Sequence, residues 1–353
     1  MRGMSIYIGQ QTAEVQLAYL KRMKKAGFTT IFTSLHIPED DGKGYADLLK
    51  ELGNQARELG MELFADISPV SFPLLGLSLE NAEELISWGV AGIRLDYGIE
   101  PLQIVELSQK MKIALNASTL NEDFLEALLK MGLQSNHTEV WHNFYPRPET
   151  GLERLSFIEK NKRLQEYGLT VMAFIPGDGE LRGPIYESLP TLEEHRRISP
   201  FFAYLDIKEC YVDKVIIGDK SISPFCLEQF EWWKEGKVGL RCNLYTNDPV
   251  QYDIINIYHR SRMDPSRDVI RSETSRLYAL PGQKVSKENT VVRQRGCITI
   301  DNEKYGRYSG ELQILKKDLP ADEKVNVAGK IIAEDMPLID LIAPGSTFHF
   351  IPI

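Results

Sequence analysis

Trp88-Gly89-Val90-Ala91-Gly92-Ile93-Arg94-Leu95-Asp96-Tyr97 packs a helix stop, an apolar strand and a charged strand end into one short run. A glycine just past a helix reaches the left-handed backbone conformation without a Cβ clash, so the helix ends there and the chain turns back. The same phrase recurs at Ala26-Gly27-Phe28, Leu59-Gly60-Met61, Met131-Gly132-Leu133 and Tyr167-Gly168-Leu169, each time directly before an apolar run. Strands read between these stops fall at 5–9, 29–35, 62–67, 91–97, 112–117, 139–144, 170–175 and 214–218, eight in all. Helices between them open with recognisable signals: Glu100-Pro101, Asn121-Glu122-Asp123, the capping box Thr191-x-x-Glu194, and Ser223-Pro224.

Alternating strand and helix implies parallel strands joined by right-handed crossovers. Eight units select a closed barrel over a doubly wound sheet, and Gly9-Gln-Gln-Thr12 does not supply the G-x-G-x-x-G turn that a dinucleotide-binding sheet wants. After Gly236 the helical pattern fades. Cys297-Ile-Thr-Ile300, Glu311-Leu-Gln-Ile314, Val325-Asn-Val327 and Phe348-His-Phe350 alternate between turn signals such as Asp301-Asn302 and Pro344-Gly345. The expected architecture is therefore α/β: a (β/α)8 TIM barrel over 1–236, followed by a small β-rich barrel or sandwich over 237–353.

Of the 353 residues, 43% are hydrophobic and 26% charged, enough apolar surface for ordinary globular cores. The formal net charge is -9 and Lys or Arg form no long run, which removes the electrostatic footprint of nucleic-acid binding. Met1–Gln10 lacks the apolar core of a secretory signal and no long apolar segment follows, so a cytoplasmic protein without a membrane partner is expected. The cysteines, Cys210, Cys226, Cys242 and Cys297, show no C-x-x-C pair and read as buried structural thiols. With no H-x-x-x-H motif either, neither a metal nor a cofactor is expected.

Barrel enzymes carry their active sites at the carboxyl ends of the strands. Polar residues fall there in number: Ser34, His36, Asp66, Ser68, Asp96, Asn116, Ser118, His142, Asn143, Asp178 and Asp219. Burying so many polar groups without partners or a ligand is costly. The sharpest pair is Asp66 and Asp96, each closing an apolar strand. Neighbouring strands lie roughly 4.8 Å apart, so two such carboxylates would stand near the roughly 5 Å separation of retaining glycosidases. Like charges that close oppose double ionisation, and one group would hold a proton near neutral pH. Arg94 shares the strand face of Asp96 and suits an ionised carboxylate; the plainer reading is that Asp66 or Asp96 simply pairs with Arg94 or caps a loop amide.

His36 and His142 suit hydrogen bonds to sugar hydroxyls, or structural packing. Trp141, Phe144, Tyr145 and Phe174 offer flat faces for sugar rings, or for a core. The glycine-rich loop from Pro176 to Pro184 carries Arg182 after the seventh strand, a region where many barrels hold phosphate. Arg293, Arg295 and Arg307 offer further guanidinium groups to an anionic substrate, and Glu39-Asp40-Asp41 reads as a solvated loop.

Met4-Ser-Ile-Tyr-Ile-Gly9, Phe32-Thr-Ser-Leu-His-Ile-Pro38, Gly92-Ile-Arg-Leu-Asp-Tyr-Gly98, Asn116-Ala-Ser118, His142-Asn-Phe-Tyr-Pro-Arg147 and Arg295-Gly-Cys-Ile-Thr-Ile-Asp301-Asn302 give the chain a further identity. In these segments it resembles the bacterial 6-phospho-N-acetylmuramidase family. The resemblance implies a barrel followed by a cyclophilin-like β domain, acting in peptidoglycan recycling and amino-sugar metabolism. It implies a cytoplasmic glycosidase that splits a disaccharide of 6-phosphorylated N-acetylmuramic acid and N-acetylglucosamine, with no cofactor. Asp66 and Asp96 are the expected catalytic pair, on the geometric argument above. His36, Arg94, Asn116, His142, Asn143, Tyr145, Arg147, Asp178, Asp219 and Arg295 are the expected substrate contacts. The competing expectations are another barrel enzyme of phosphosugars, such as an aldolase or epimerase, and a non-catalytic sugar-phosphate-binding protein. A Schiff-base aldolase would need a lysine at a strand end, and the pattern places none there.

Overall fold

A computed structural model describes residues 1–35, 44–69, 71–95, 98–275 and 284–353. His36, Asp96 and the acidic run Glu39-Asp40-Asp41 lie outside the described residues. The chain divides into two compact units, Met1–Leu227 and Glu228–Ile353.

The first unit is a closed barrel of parallel strands in sequential order. Its strands are β1 (Arg2–Ser5), β2 (Thr30–Ser34), β3 (Glu62–Ile67), β4 (Val90–Leu95), β5 (Lys112–Asn116), β6 (Thr138–Trp141), β7 (Thr170–Ile175) and β8 (Lys214–Ile217). Between them run α1 (Ala13–Lys25), α2 (Tyr45–Glu58), α3 (Glu84–Ser87), α4 (Pro101–Lys110), α5 (Glu122–Lys130), α6 (Arg154–Glu166) and α7 (Pro200–Lys208), and α8 (Pro224–Lys234) follows β8. The sequence places the first strand too late. The ladder uses Arg2–Ser5, where Gly3 sits so close to β2 that a Cβ would meet the Thr30 carbonyl at 2.8 Å, and the run after Ser5 becomes the rim of the barrel. A run of alternating apolar residues marks burial, and burial continues past the last ladder bond.

Two glycines in the Trp88–Tyr97 stretch do separate jobs. Gly89, at φ +93°, lets the turn press against α2, where a Cβ would meet the Gly53 carbonyl at 2.4 Å. Gly92 faces inward, where a Cβ would lie 2.4 Å from the Phe64 ring. That vacancy admits the interior layer of Phe32, Phe64, Trp141, Met172, Phe174 and Ile216. Beneath it, at the amino ends of the strands, Lys214 is fully buried and donates to both oxygens of Glu139 at 2.8 Å, while Trp141 Nε1 donates to Glu139 at 2.7 Å. The interior lysine thus sits at the end of the barrel opposite the mouth.

The second unit comprises β9 (Lys237–Leu244), α9 (Pro249–Ile255), β10 (His259–Arg260), β11 (Val269–Arg271), β12 (Cys297–Asp301), β13 (Leu312–Leu315), β14 (Val325–Ile331) and β15 (Thr347–Pro352). They form one curled mixed sheet, a half-barrel, in the order β10-β15-β9-β14-β12-β13-β11. Its pairs are antiparallel except β15 with β9, which run parallel. All four cysteines are buried, and none forms a disulfide among the described residues.

Candidate active site

Strand register brings the charged ends together. Ser34, Asp66 and Arg94 are successive partners across β2, β3 and β4, so their side chains share one level at the carboxyl rim. Arg94 Nη1 donates to Asp66 Oδ1 at 2.9 Å, and Ser34 Oγ donates to Asp66 Oδ2 at 3.5 Å. The other guanidinium arm donates to Asn143 Oδ1, beyond the end of β6. The pair is largely withdrawn from water, with 6% of the Arg94 side chain and 14% of the Asp66 side chain exposed. A guanidinium in that contact stabilises the carboxylate form of Asp66 by Coulomb attraction and a charge-assisted hydrogen bond. Arg94 Nε is buried and has no partner among the described residues.

Across the mouth, aromatic rings rise from the barrel interior. Phe174 meets Phe32 edge-on at 5.2 Å, and Phe144 meets Phe174 edge-on at 5.1 Å. The Arg182 guanidinium lies 4.4 Å from the Tyr7 ring centroid and 5.6 Å from that of Phe144. Tyr7 donates to the Gly218 carbonyl at 2.6 Å, and burial pushes its hydroxyl up to about 12 against the pull of Arg182. Asp219 organises the neighbouring loops: it accepts from the backbone N–H groups of Gly177 and Leu189 on one oxygen and of Arg182 on the other, at 2.8, 3.1 and 3.1 Å. Burial nevertheless holds its carboxyl above the usual range.

The N-terminal and C-terminal models of the 6-phospho-N-acetylmuramidase family match residues 2–232 and 238–351. The chain belongs to this family. It is also similar to the crystal structure of a conserved Enterococcus faecalis protein of unknown function, at 40% identity over all of this chain and 96% of that one, with a TM-score of 0.90. An uncharacterized B. cereus protein is 29% identical over 99% of each chain, with a TM-score of 0.73. No curated protein matches.

In this member of the muramidase family, the residues expected at the site fall into three groups. Asp66, Arg94 and Asn143 meet at the rim, and Asn116 stands half-buried at the end of β5, its Oδ1 accepting from Ser118 N at 3.0 Å. Tyr145 and Arg147 follow on the loop after β6, whose carbonyls are tied by Arg196 at 2.9 and 3.3 Å. The Arg147 side chain is exposed.

A second group serves structure. His142 was read as a hydrogen-bonding rim residue, but its ring turns outward beneath α6. There Nε2 faces Asn161 Oδ1 at 2.7 Å, the ring packs on Phe157 at 4.6 Å, and nothing of the residue is exposed. Burial lowers its pKa to about 4, keeping the imidazole neutral. Strand alternation explains the reversal: Trp141 points into the barrel, so its neighbour points out. Asp178 accepts from Ser223 N and Oγ, both at 2.7 Å, and so holds the serine whose Oγ caps α8 by accepting from Cys226 N at 3.1 Å. Asp219 spends both oxygens on loop amides, as described. Arg295, in the second unit, donates to Lys316 O at 2.6 Å and Asp340 Oδ2 at 2.8 Å. His36 and Asp96 make the third group, outside the described residues.

Sequence reading missed Tyr7, because the misplaced first strand put it in mid-ladder. It also missed Arg196, which no motif marks. Glu194, His195 and Asp206 bring ligand atoms within 4.8 Å of one another, but the Arg154 guanidinium donates to both carboxylates and already supplies the positive charge there. Among the described residues no helix is long and apolar enough to cross a membrane.

Proposed function

We propose that this chain is a cytoplasmic glycoside hydrolase that cleaves a disaccharide of 6-phosphorylated N-acetylmuramic acid and N-acetylglucosamine in peptidoglycan recycling. Family membership supports the substrate class. The observation that carries the chemistry is a carboxylate, Asp66, paired with Arg94 at 2.9 Å at the carboxyl rim of a closed barrel.

An ionised carboxylate suits a nucleophile, which leaves the acid and base roles to Asp96. In the first step Asp96 protonates the glycosidic oxygen as the bond to the anomeric carbon breaks, and Asp66 bonds to that carbon. In the second, water gives a proton to Asp96, attacks the anomeric carbon and releases Asp66, with net retention. Asn143, Asn116, Tyr145 and Arg147 are the described residues best disposed to hold sugar. Lys214, at the opposite end of the barrel and bound to Glu139, is badly disposed for Schiff-base chemistry at the mouth.

Incubation with phosphorylated and unphosphorylated muramyl disaccharides tests the reading. Release of N-acetylglucosamine from the phosphorylated compound is expected, with the first-formed product keeping its anomeric configuration. Binding without release would leave a sugar-phosphate-binding protein, and neither binding nor release would remove the muramyl substrate. Asp96→Asn should stay folded and lose turnover; wild-type activity in that variant would end its assignment.

A further inference from the structure

Arg182 holds a positive charge at the barrel mouth with no carboxylate at ion-pair distance among the described residues. Its neighbour Asp219 is committed to the backbone N–H groups of Gly177, Arg182 and Leu189. Arg182 is half-buried, with its guanidinium carbon close to the rings of Tyr7 and, more distantly, Phe144. Phe144 rests on Phe174, Phe174 on Phe32, and Phe32 on Trp141 at 5.9 Å, so the guanidinium ends a file of rings that begins in the barrel interior. Contact with these rings and with the Tyr7 hydroxyl holds the guanidinium in place, and its remaining N–H groups are left for another acceptor. The Asp219 bond to the Arg182 amide pins the loop from which the side chain springs.

Asp219 attracts Arg182 only through space, and withdrawing a charge halfway from water without a direct ion pair has a cost that is recovered when an anion arrives. A planar fork matches the paired oxygens of a phosphoryl or carboxylate group. Resting on the substrate reading above, we infer that Arg182 binds the anionic substituent of the sugar and sets the preference for substrates that carry it. A 6-phosphorylated muramyl sugar offers two such groups, the phosphate and the lactyl carboxylate, and both present the same chemistry to a guanidinium.

The test compares wild type with Arg182→Gln and Arg182→Lys on three disaccharides: one carrying both anions, one without the phosphate, and one without the lactyl group. For substrates carrying the recognised anion, Arg182→Gln should lower kcat/KM by about 10- to 100-fold, the loss of one charge-assisted contact. The variant should match wild type on the compound lacking that anion, which identifies the source. Arg182→Lys should recover part of the loss. Equal losses on all three compounds, or none, would overturn the inference, and thermal unfolding separates a folding defect from a binding one. Calorimetric titration with N-acetylmuramic acid 6-phosphate and with inorganic phosphate keeps the two claims apart. If wild type binds either and Arg182→Gln does not, Arg182 stands even where no disaccharide is cleaved; if Arg182→Gln binds as wild type does, it falls.

Discussion

Breaking and then removing the Asp66–Arg94 pair separates a catalytic carboxylate from a structural one. At about 4 Å between charge centres and an effective dielectric near 20, two unit charges attract by about 4 kcal/mol. Removing one member of a buried pair costs about 3–5 kcal/mol, because the survivor stays desolvated without its partner. Asp66 keeps 14% side-chain exposure at the rim, so the lower end, about 3 kcal/mol, is expected for Arg94→Met or Asp66→Leu alone. The double variant Arg94→Met with Asp66→Leu replaces the pair by apolar groups and should return to within about 1 kcal/mol of wild type. Urea unfolding followed by tryptophan fluorescence measures the three variants, and hydrolysis of the phosphorylated disaccharide is assayed on the same samples. A carboxylate that serves only to pair with Arg94 would let turnover return with stability. A catalytic one leaves the double variant stable and down by at least about 10²-fold. Wild-type turnover in the stable double variant refutes the catalytic assignment, and single variants within about 0.5 kcal/mol of wild type refute the electrostatic reasoning.

Lys214→Met should destabilise the barrel by about 3 kcal/mol or more, since it leaves Glu139 buried without its cation; adding Glu139→Gln should recover part of that, measured by the same urea midpoint. A Lys214→Met variant as stable as wild type would show that the floor pair contributes nothing. His142 has its folded pKa at about 4, below the ordinary value near 6.5, so its unfolded form takes up a proton first as pH falls. The stability it contributes is complete above about pH 6.5 and is lost on going down to about pH 4, by about 3 kcal/mol. Thermal unfolding across that range should therefore slope less steeply in His142→Gln than in wild type, and an unchanged slope would place the titration elsewhere.

Periodicity and glycine punctuation were enough to read the barrel. The helix stops at Gly27, Gly60, Gly89, Gly132 and Gly168 all adopt positive φ, and strands follow each of them. These are local properties, set by backbone sterics and by alternation of apolar residues, so they survive in one dimension. The strand ends were legible too, which is why Asp66 and Arg94 could be named together. Direction was not. Asn143 turns to Arg94 while His142, one residue earlier, turns beneath α6. Asp178 and Asp219 clamp loop groups that lie thirty or more residues away along the chain. Arg182 reads in sequence as part of a turn; the rings of Tyr7 and Phe144, brought to it by β1 and β6, make it an oriented guanidinium. Sequence determined where the barrel strands run and end. Closure of the barrel decided which of their residues face one another, because pairing partners are chosen by register and packing across strands far apart in the chain.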